Sequence, residues 1–371
     1  MPVEAESAEA IETALRAGRL TLPAGQAGVP AALVRWPPPP AGAAAILARD
    51  AAGACVFLDR ADHNRCAVHR ALGHERLPDT CRHFPRIALL DGRGVHVTLS
   101  HFCPTAASML LREDIDELRI VSSPDAFAAN TDLDGFDATG TVPPFVRPGV
   151  VFDLDAYARW EAWQIEMLGR PGVSAEDALG VLARTAETLR GWTPTQGPLL
   201  EAVAQASAGA SGWVAGRGAP GAGGAPPLHA AALAETFSRI VAEIRSGLPA
   251  PEIPADLEES WTELVEPAWR GLSRPVRRYL GSKAFAAWSA YQGEGIRTSV
   301  AVIGLTLDAL KVESARQAAR ADRPLDRRQL TEAIRRTDLL LEHLVDRADL
   351  ARLASPAESR RTDEFLSGFP L

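Results

Sequence analysis

All four cysteines of this 371-residue chain lie between Cys55 and Cys103, and six of its eight histidines share that window: His63, His69, His74, His83, His96 and His101. Such a stretch folds either with its sulfurs as small buried hydrophobes or around a soft or borderline metal, for which thiolate and imidazole are the natural donors. The cysteines are separated by 10, 14 and 21 residues. Those intervals match neither the paired C-x2-C knuckles of zinc ribbons nor a tight three-cysteine run. Cys55, Cys66, Cys81 and Cys103 are the candidate metal ligands, and His69, His83 and His101 are the histidines nearest to them in sequence.

Charge points the same way. Seven arginines and five acids fall between Cys55 and Cys103, in a chain whose net charge is −8. Four thiolates around zinc or an oxidised four-iron cluster leave a site charge of about −2, which a basic shell offsets. Arg65 and Arg82 stand directly beside cysteines, where N–H groups can reach sulfur. The acidic balance of the whole argues against a general nucleic-acid or membrane-surface binder, since both need a basic face.

The start, MPVEAESAEAIETALR, is acidic where a secretory signal is basic, and the longest apolar candidate, Ser299 to Leu307, falls far short of the roughly 20 residues that span a bilayer. The expectation is a cytoplasmic protein with reduced thiols, and hence metal ligands or core residues rather than disulfides.

With 46% hydrophobic residues the chain can bury a large core without staples. Ser7 to Ala17 predicts a helix stopped by Gly18, and residues 1–22 form an N-terminal helical segment. WPPPP at Trp36 to Pro40 is a stiff spacer. AILARD-AAGA-CVFLD predicts a hairpin that delivers Cys55, and Asp91-Gly-Arg-Gly94 predicts a hairpin within IALLDGRGVHVTLS. Pro104 suits the first turn of a helix after Cys103.

Long helical patterns follow. Ser174 and Asp177, and Asp326 and Gln329, have capping-box spacing. The expected class is mainly α with a small α+β cysteine-cluster module containing β-hairpins. That module covers 23–112, followed by helical region 113–207, a Gly/Ala/Pro linker at 208–227, helical region 228–355 and a tail at 356–371. Helices are expected near 228–246, 257–269, 274–291, 295–321 and 326–353.

The progression CVFLD (Cys55 to Asp59), RCAVHRALG (Arg65 to Gly73), LPDTCRHFPR (Leu77 to Arg86) and SHFCPTAASMLL (Ser100 to Leu111) resembles the YkgJ-like cysteine-cluster proteins, a zinc- or iron-chelating family that includes flagellin lysine-N-methylases. The specific part covers about 50 residues; YARWEAWQIEML and RRYLGSKAFAAW are similar to the methylase-type body with weaker specificity. The resemblance implies that Cys55, Cys66, Cys81 and Cys103 bind zinc or an iron–sulfur cluster. It also implies that longer members transfer methyl groups from S-adenosylmethionine to lysines of flagellin or another protein. The chain differs in lacking the family's upstream CxxxCC-type group, since no cysteine precedes Cys55.

Methyl transfer to a lysine needs a base near neutral pH and tight positioning. Tyr157, Tyr279, Tyr291 and the pair Glu342-His343 carry suitable groups, each also explained by an ordinary helix face, and the catalytic and methyl-donor residues stay unassigned. Three functions are open: a methylase-like enzyme, a metal-stabilised protein-binding scaffold, and an iron–sulfur redox or iron-handling factor. The expected partners are protein substrates, with no nucleic acid and no membrane.

Overall fold

A computed structural model describes residues 2–24, 31–35, 43–50, 54–62, 65–114, 118–122, 135–216, 229–244, 250–293 and 295–355, with backbone alone for 212–216. The expected spacer at 36–40 and the tail lie outside these residues, as do His63 and positions 217–227 of the linker. The class is mainly α with small, mostly antiparallel sheets. Among the described residues no helix is long and apolar enough to cross a membrane.

The chain divides into two units after Arg86, each with its own apolar core. The first contains β1 (Pro2–Val3), α1 (Ala5–Arg16), β2 (Leu33–Val34), β3 (Ala45–Leu47), β4 (Leu58–Asp59), β5 (Arg65–Cys66), α2 (Ala67–Leu72) and α3 (Asp79–His83). Strands order β1-β3-β2 in one sheet, and β4 pairs β5 in another. The expected hairpin before Cys55 forms: Arg49 bridges Cys55, and the Val56 N–H donates to the Ala48 carbonyl at 3.1 Å. The sequence set the N-terminal helix apart, yet Val3, Ile11 and Ala14 share one core with Leu47, Phe57, Ala67 and Val68. The helix also starts earlier than expected, with Glu4 rather than Ser7 as its N-cap.

The second unit opens with β6 (Arg86–Asp91), β7 (Gly94–Leu99) and α4 (Pro104–Met109), all of which the sequence had joined to the cysteine module. The DGRG hairpin forms as expected, and β8 (Gly135–Asp137) adds to β6 in parallel. After the β9 (Phe145–Arg147) and β10 (Val150–Val151) pair come α5 (Leu154–Gly169), α6 (Ala175–Arg190), α7 (Leu199–Gly216), α8 (Ala230–Ala242), α9 (Leu257–Ser260), α10 (Glu266–Trp269), α11 (Ser273–Ala284), α12 (Ile296–Ala321) and α13 (Arg327–Asp338). Ser174 and Asp326 cap α6 and α13 as their spacing predicts.

The run near Ser299 lies inside α12, whose buried positions go all round it, as befits a helix enclosed by others. α7 extends to Gly216, so 208–216 is helix rather than linker: the prolines that would break a helix begin only at Pro220.

Three expected helices are interrupted. Between α9 and α10, Trp261–Val265 is a π turn, and Pro267, which has no N–H, removes the bond that would tighten it. The 274–291 pattern stops at Ala284, with Ala286 left-handed at φ 54° and its N–H given to Glu161 at 2.9 Å. A second π turn, Leu339–Leu344, ends α13, and Val345 turns extended to bridge Ile244.

Candidate functional site

Three of the four candidate ligands belong to the first unit: Cys55, Cys66 and Cys81 are all half-buried against its core. Asp50 ties down Ala54, the residue before Cys55. The Ala54 N–H donates to Asp50 Oδ1 at 2.9 Å, the Asp50 N–H donates to the Ala54 carbonyl at 2.8 Å, and Arg60 reaches Asp50 Oδ2 at 2.9 Å. Beyond Cys55 the chain turns back at once, with the Leu58 N–H on the Cys55 carbonyl at 3.0 Å. Within that turn the Phe57 N–H is the group that most pulls the Cys55 thiol down. Backbone N–H groups two residues beyond a cysteine are the donors that stabilise sulfur in its anionic form.

Cys66 pairs with Leu58 across β4 and β5 and leads directly into α2. The intervening loop is stapled by charge: Arg70 binds Asp59 at 3.2 Å and Asp62 at 2.8 Å, and Asp59 Oδ1 accepts the N–H groups of Ala61 and Asp62, each at 3.2 Å. Cys81 lies in α3, its N–H on the Pro78 carbonyl at 2.8 Å.

The three thiols sense one another. Burial pushes the Cys55 thiol up, and the Phe57 N–H pulling down and the Cys66 charge pushing up act against each other on top of it. Burial first, and then the charges of Cys55 and Cys66, push Cys81 up to about 12. Both are therefore thiols at neutral pH, and three thiolates here would need a cation to offset both burial and mutual repulsion. Among the described residues no three His, Cys, Asp or Glu side chains stand together as a set that could hold a metal ion. Of the nearby histidines, His69 and His74 stack edge to face with ring centroids 6.0 Å apart, and His83 is buried at the end of α3.

Cys103 belongs to the second unit. It precedes α4, with Pro104 in the first turn as expected, and its N–H bonds the Ser100 carbonyl at 3.3 Å. The residues before it are clamped by a buried network that the sequence did not reveal. The Asp338 carboxylate accepts the Ser100 hydroxyl at 3.0 Å, the N–H groups of His101 at 2.6 Å and Phe102 at 3.2 Å, and the Tyr279 hydroxyl at 3.0 Å; it also pairs with Lys283. Glu342 and His343, neighbours in sequence with groups suited to acid–base work, have separate partners. Glu342 meets Lys283 at 3.1 Å, and His343 Nε2 lies 2.8 Å from Ser100 Oγ. Burial and then the Lys283 charge lower His101 to about 4, so it is a neutral imidazole. The one advance signal was scarcity, since Lys283 and Lys311 are the only lysines in the chain.

A second buried network fixes the β6–β7 hairpin. Arg93 binds Asp91 at 2.7 Å and Glu161 at 3.0 Å, while the Tyr291 hydroxyl donates to Asp91 at 2.6 Å and His96 lies 3.2 Å from it. Tyr157, Tyr279 and Tyr291 are all core residues. No family model, no curated protein and no solved structure matches the chain.

Proposed function

We propose that the first unit is a metal-binding module in which the thiolates of Cys55, Cys66 and Cys81 hold zinc or an iron–sulfur cluster. The supporting observation is that three thiols of one small unit pack against the same core and that the charges of Cys55 and Cys66 bear on Cys81. Soft sulfur donors select these metals, and a cation supplies the positive charge that the three sulfurs need to ionise together. Metal loading then draws the three sulfurs to bonding distance.

The test is metal and acid-labile sulfide content, with a visible spectrum, on protein purified without oxygen. About four irons and four sulfides per chain identify a cluster, and about one zinc without colour identifies a structural site. Cys66→Ser and Cys81→Ser should each lose the metal. Unchanged metal in both variants, or none in the wild type, ends the reading. Cys103→Ser enters the same assay as the test of the fourth ligand expected from the sequence. Methyl transfer, which the resemblance implies, is the next assay once metal is found, using S-adenosylmethionine and a flagellin-type lysine substrate.

A further inference from the structure

The placement of Cys81 depends on a residue far from it in sequence. Glu4 follows β1 and is the N-cap residue of α1, yet its side chain makes no capping bond there. Its Oε2 instead accepts the Asp79 N–H at 3.1 Å, across 75 residues of chain. Asp79 opens α3, a helix of only five residues whose own N-cap, Pro78, makes no side-chain bond to it. The first N–H groups of any helix have no partner within it, so α3 must take an acceptor from elsewhere, and Glu4 supplies one.

A second tie runs in parallel. Arg76, in the turn just before α3, binds Glu6 of α1 at 2.8 Å. That pair is exposed and contributes little alone, whereas the bond between Glu4 and Asp79 is half-buried. A ligand is held only as firmly as the backbone that bears it, and support of this kind typically changes metal affinity 10- to 100-fold.

We propose that Glu4 is a positioning residue for Cys81: by accepting the Asp79 N–H it fixes where the Cys81 sulfur stands relative to Cys55 and Cys66. The inference rests on the metal-binding reading above.

The experiment titrates the metal-free full-length chain with Co²⁺, reading thiolate-to-cobalt charge transfer and the ligand-field bands. Glu4→Ala should weaken Co²⁺ binding about tenfold or more while leaving the saturated charge-transfer intensity unchanged. Glu4→Gln keeps an acceptor of the same length and should bind within about threefold of wild type. Amide exchange in Glu4→Ala should quicken over 79–83 and stay as in wild type over 45–59, because its effect passes through the helix that carries Cys81. Where Glu4→Ala does not fold, Glu4→Asp carries the test: one methylene shorter, it loses reach to Asp79 and should weaken binding.

Three results overturn the inference. Glu4→Gln as weak as Glu4→Ala, with altered ligand-field bands, makes Glu4 itself a ligand. Faster exchange across the whole first unit in Glu4→Ala makes it a general support of the fold. Glu4→Ala and Glu4→Asp binding as wild type remove any role. A wild-type chain that binds no Co²⁺ is a separate outcome, which ends the metal reading and this inference with it.

Discussion

Lys283 and Asp338 form an ion pair in the interior of the second unit, the lysine side chain 9% exposed and the aspartate fully enclosed. Burial opposes both charges; the Asp338 and Glu342 carboxylates nevertheless hold the ammonium above its ordinary range, and Lys283 in turn holds the Asp338 carboxyl below its own. Removing one partner of such a pair leaves an uncompensated charge, costing about 3–5 kcal/mol. Lys283→Met should lower the stability of this unit by that order. Seven of the chain's eight tryptophans, Trp160, Trp163, Trp192, Trp213, Trp261, Trp269 and Trp288, belong to it, so urea unfolding followed by tryptophan emission reads the loss. A change under about 1 kcal/mol would mean that water reaches Asp338.

Ala286 offers a gain in stability. Its φ of 54° places a Cβ where L-residues pay about 1–2 kcal/mol. The conformation is imposed by Glu161, which takes the Ala286 N–H and so turns the chain away from α11. Glycine adopts this region freely but loses more freedom on folding. Ala286→Gly should therefore raise stability by about 0.5–1 kcal/mol in the same urea experiment. A loss of stability would show that the methyl group's packing outweighs its strain.

Asp91 predicts an acid dependence. Burial works against its charge, but bonds from Arg93 and Tyr291 prevail and hold the carboxyl down to about 2. The folded value is below the unfolded one, so the stabilisation is complete above the ordinary aspartate range and is lost as pH falls through about 2. Its full size is about 2 kcal/mol. The stability gap between wild type and Asp91→Asn should narrow as pH falls from roughly 5 to 3. A gap independent of pH would assign the contribution of Asp91 to packing.

The elements legible in the sequence are those whose cause is local. Capping at Ser174 and Asp326 depends on residues three apart, and the DGRG hairpin on four consecutive positions. The clustering of the cysteines was equally plain, being a matter of counting. The links from Asp338 to Ser100 and from Glu161 to Arg93 and Ala286 join distant positions, and no periodicity marks which acid on a helix will face inward. The same cause hid the division at Arg86. Hairpin β6–β7 looks continuous with the cysteine stretch, and only the buried partners of Leu89 and Asp91 place it in the helical unit.

The dependence of the cysteine site on the N-terminal segment can be tested by deletion. Val3 pairs with Ala45 in the sheet that leads to Cys55, and Ile11 and Ala14 of α1 are fully buried in the core that the three thiols line. Burying a side chain such as isoleucine stabilises by about 1.5–3 kcal/mol, so losing α1 removes a large share of so small a core. Deleting residues 1–22 should expose amides near 45–83 to rapid hydrogen exchange and abolish tight Co²⁺ binding, with tryptophan emission of the second unit unchanged. Ile11→Ala, a milder lesion costing about 2–5 kcal/mol, should weaken protection over the same residues without removing it. Native exchange rates and Co²⁺ affinity in the deletion variant would mean that the hairpin, α2 and α3 fold around the cysteines without α1.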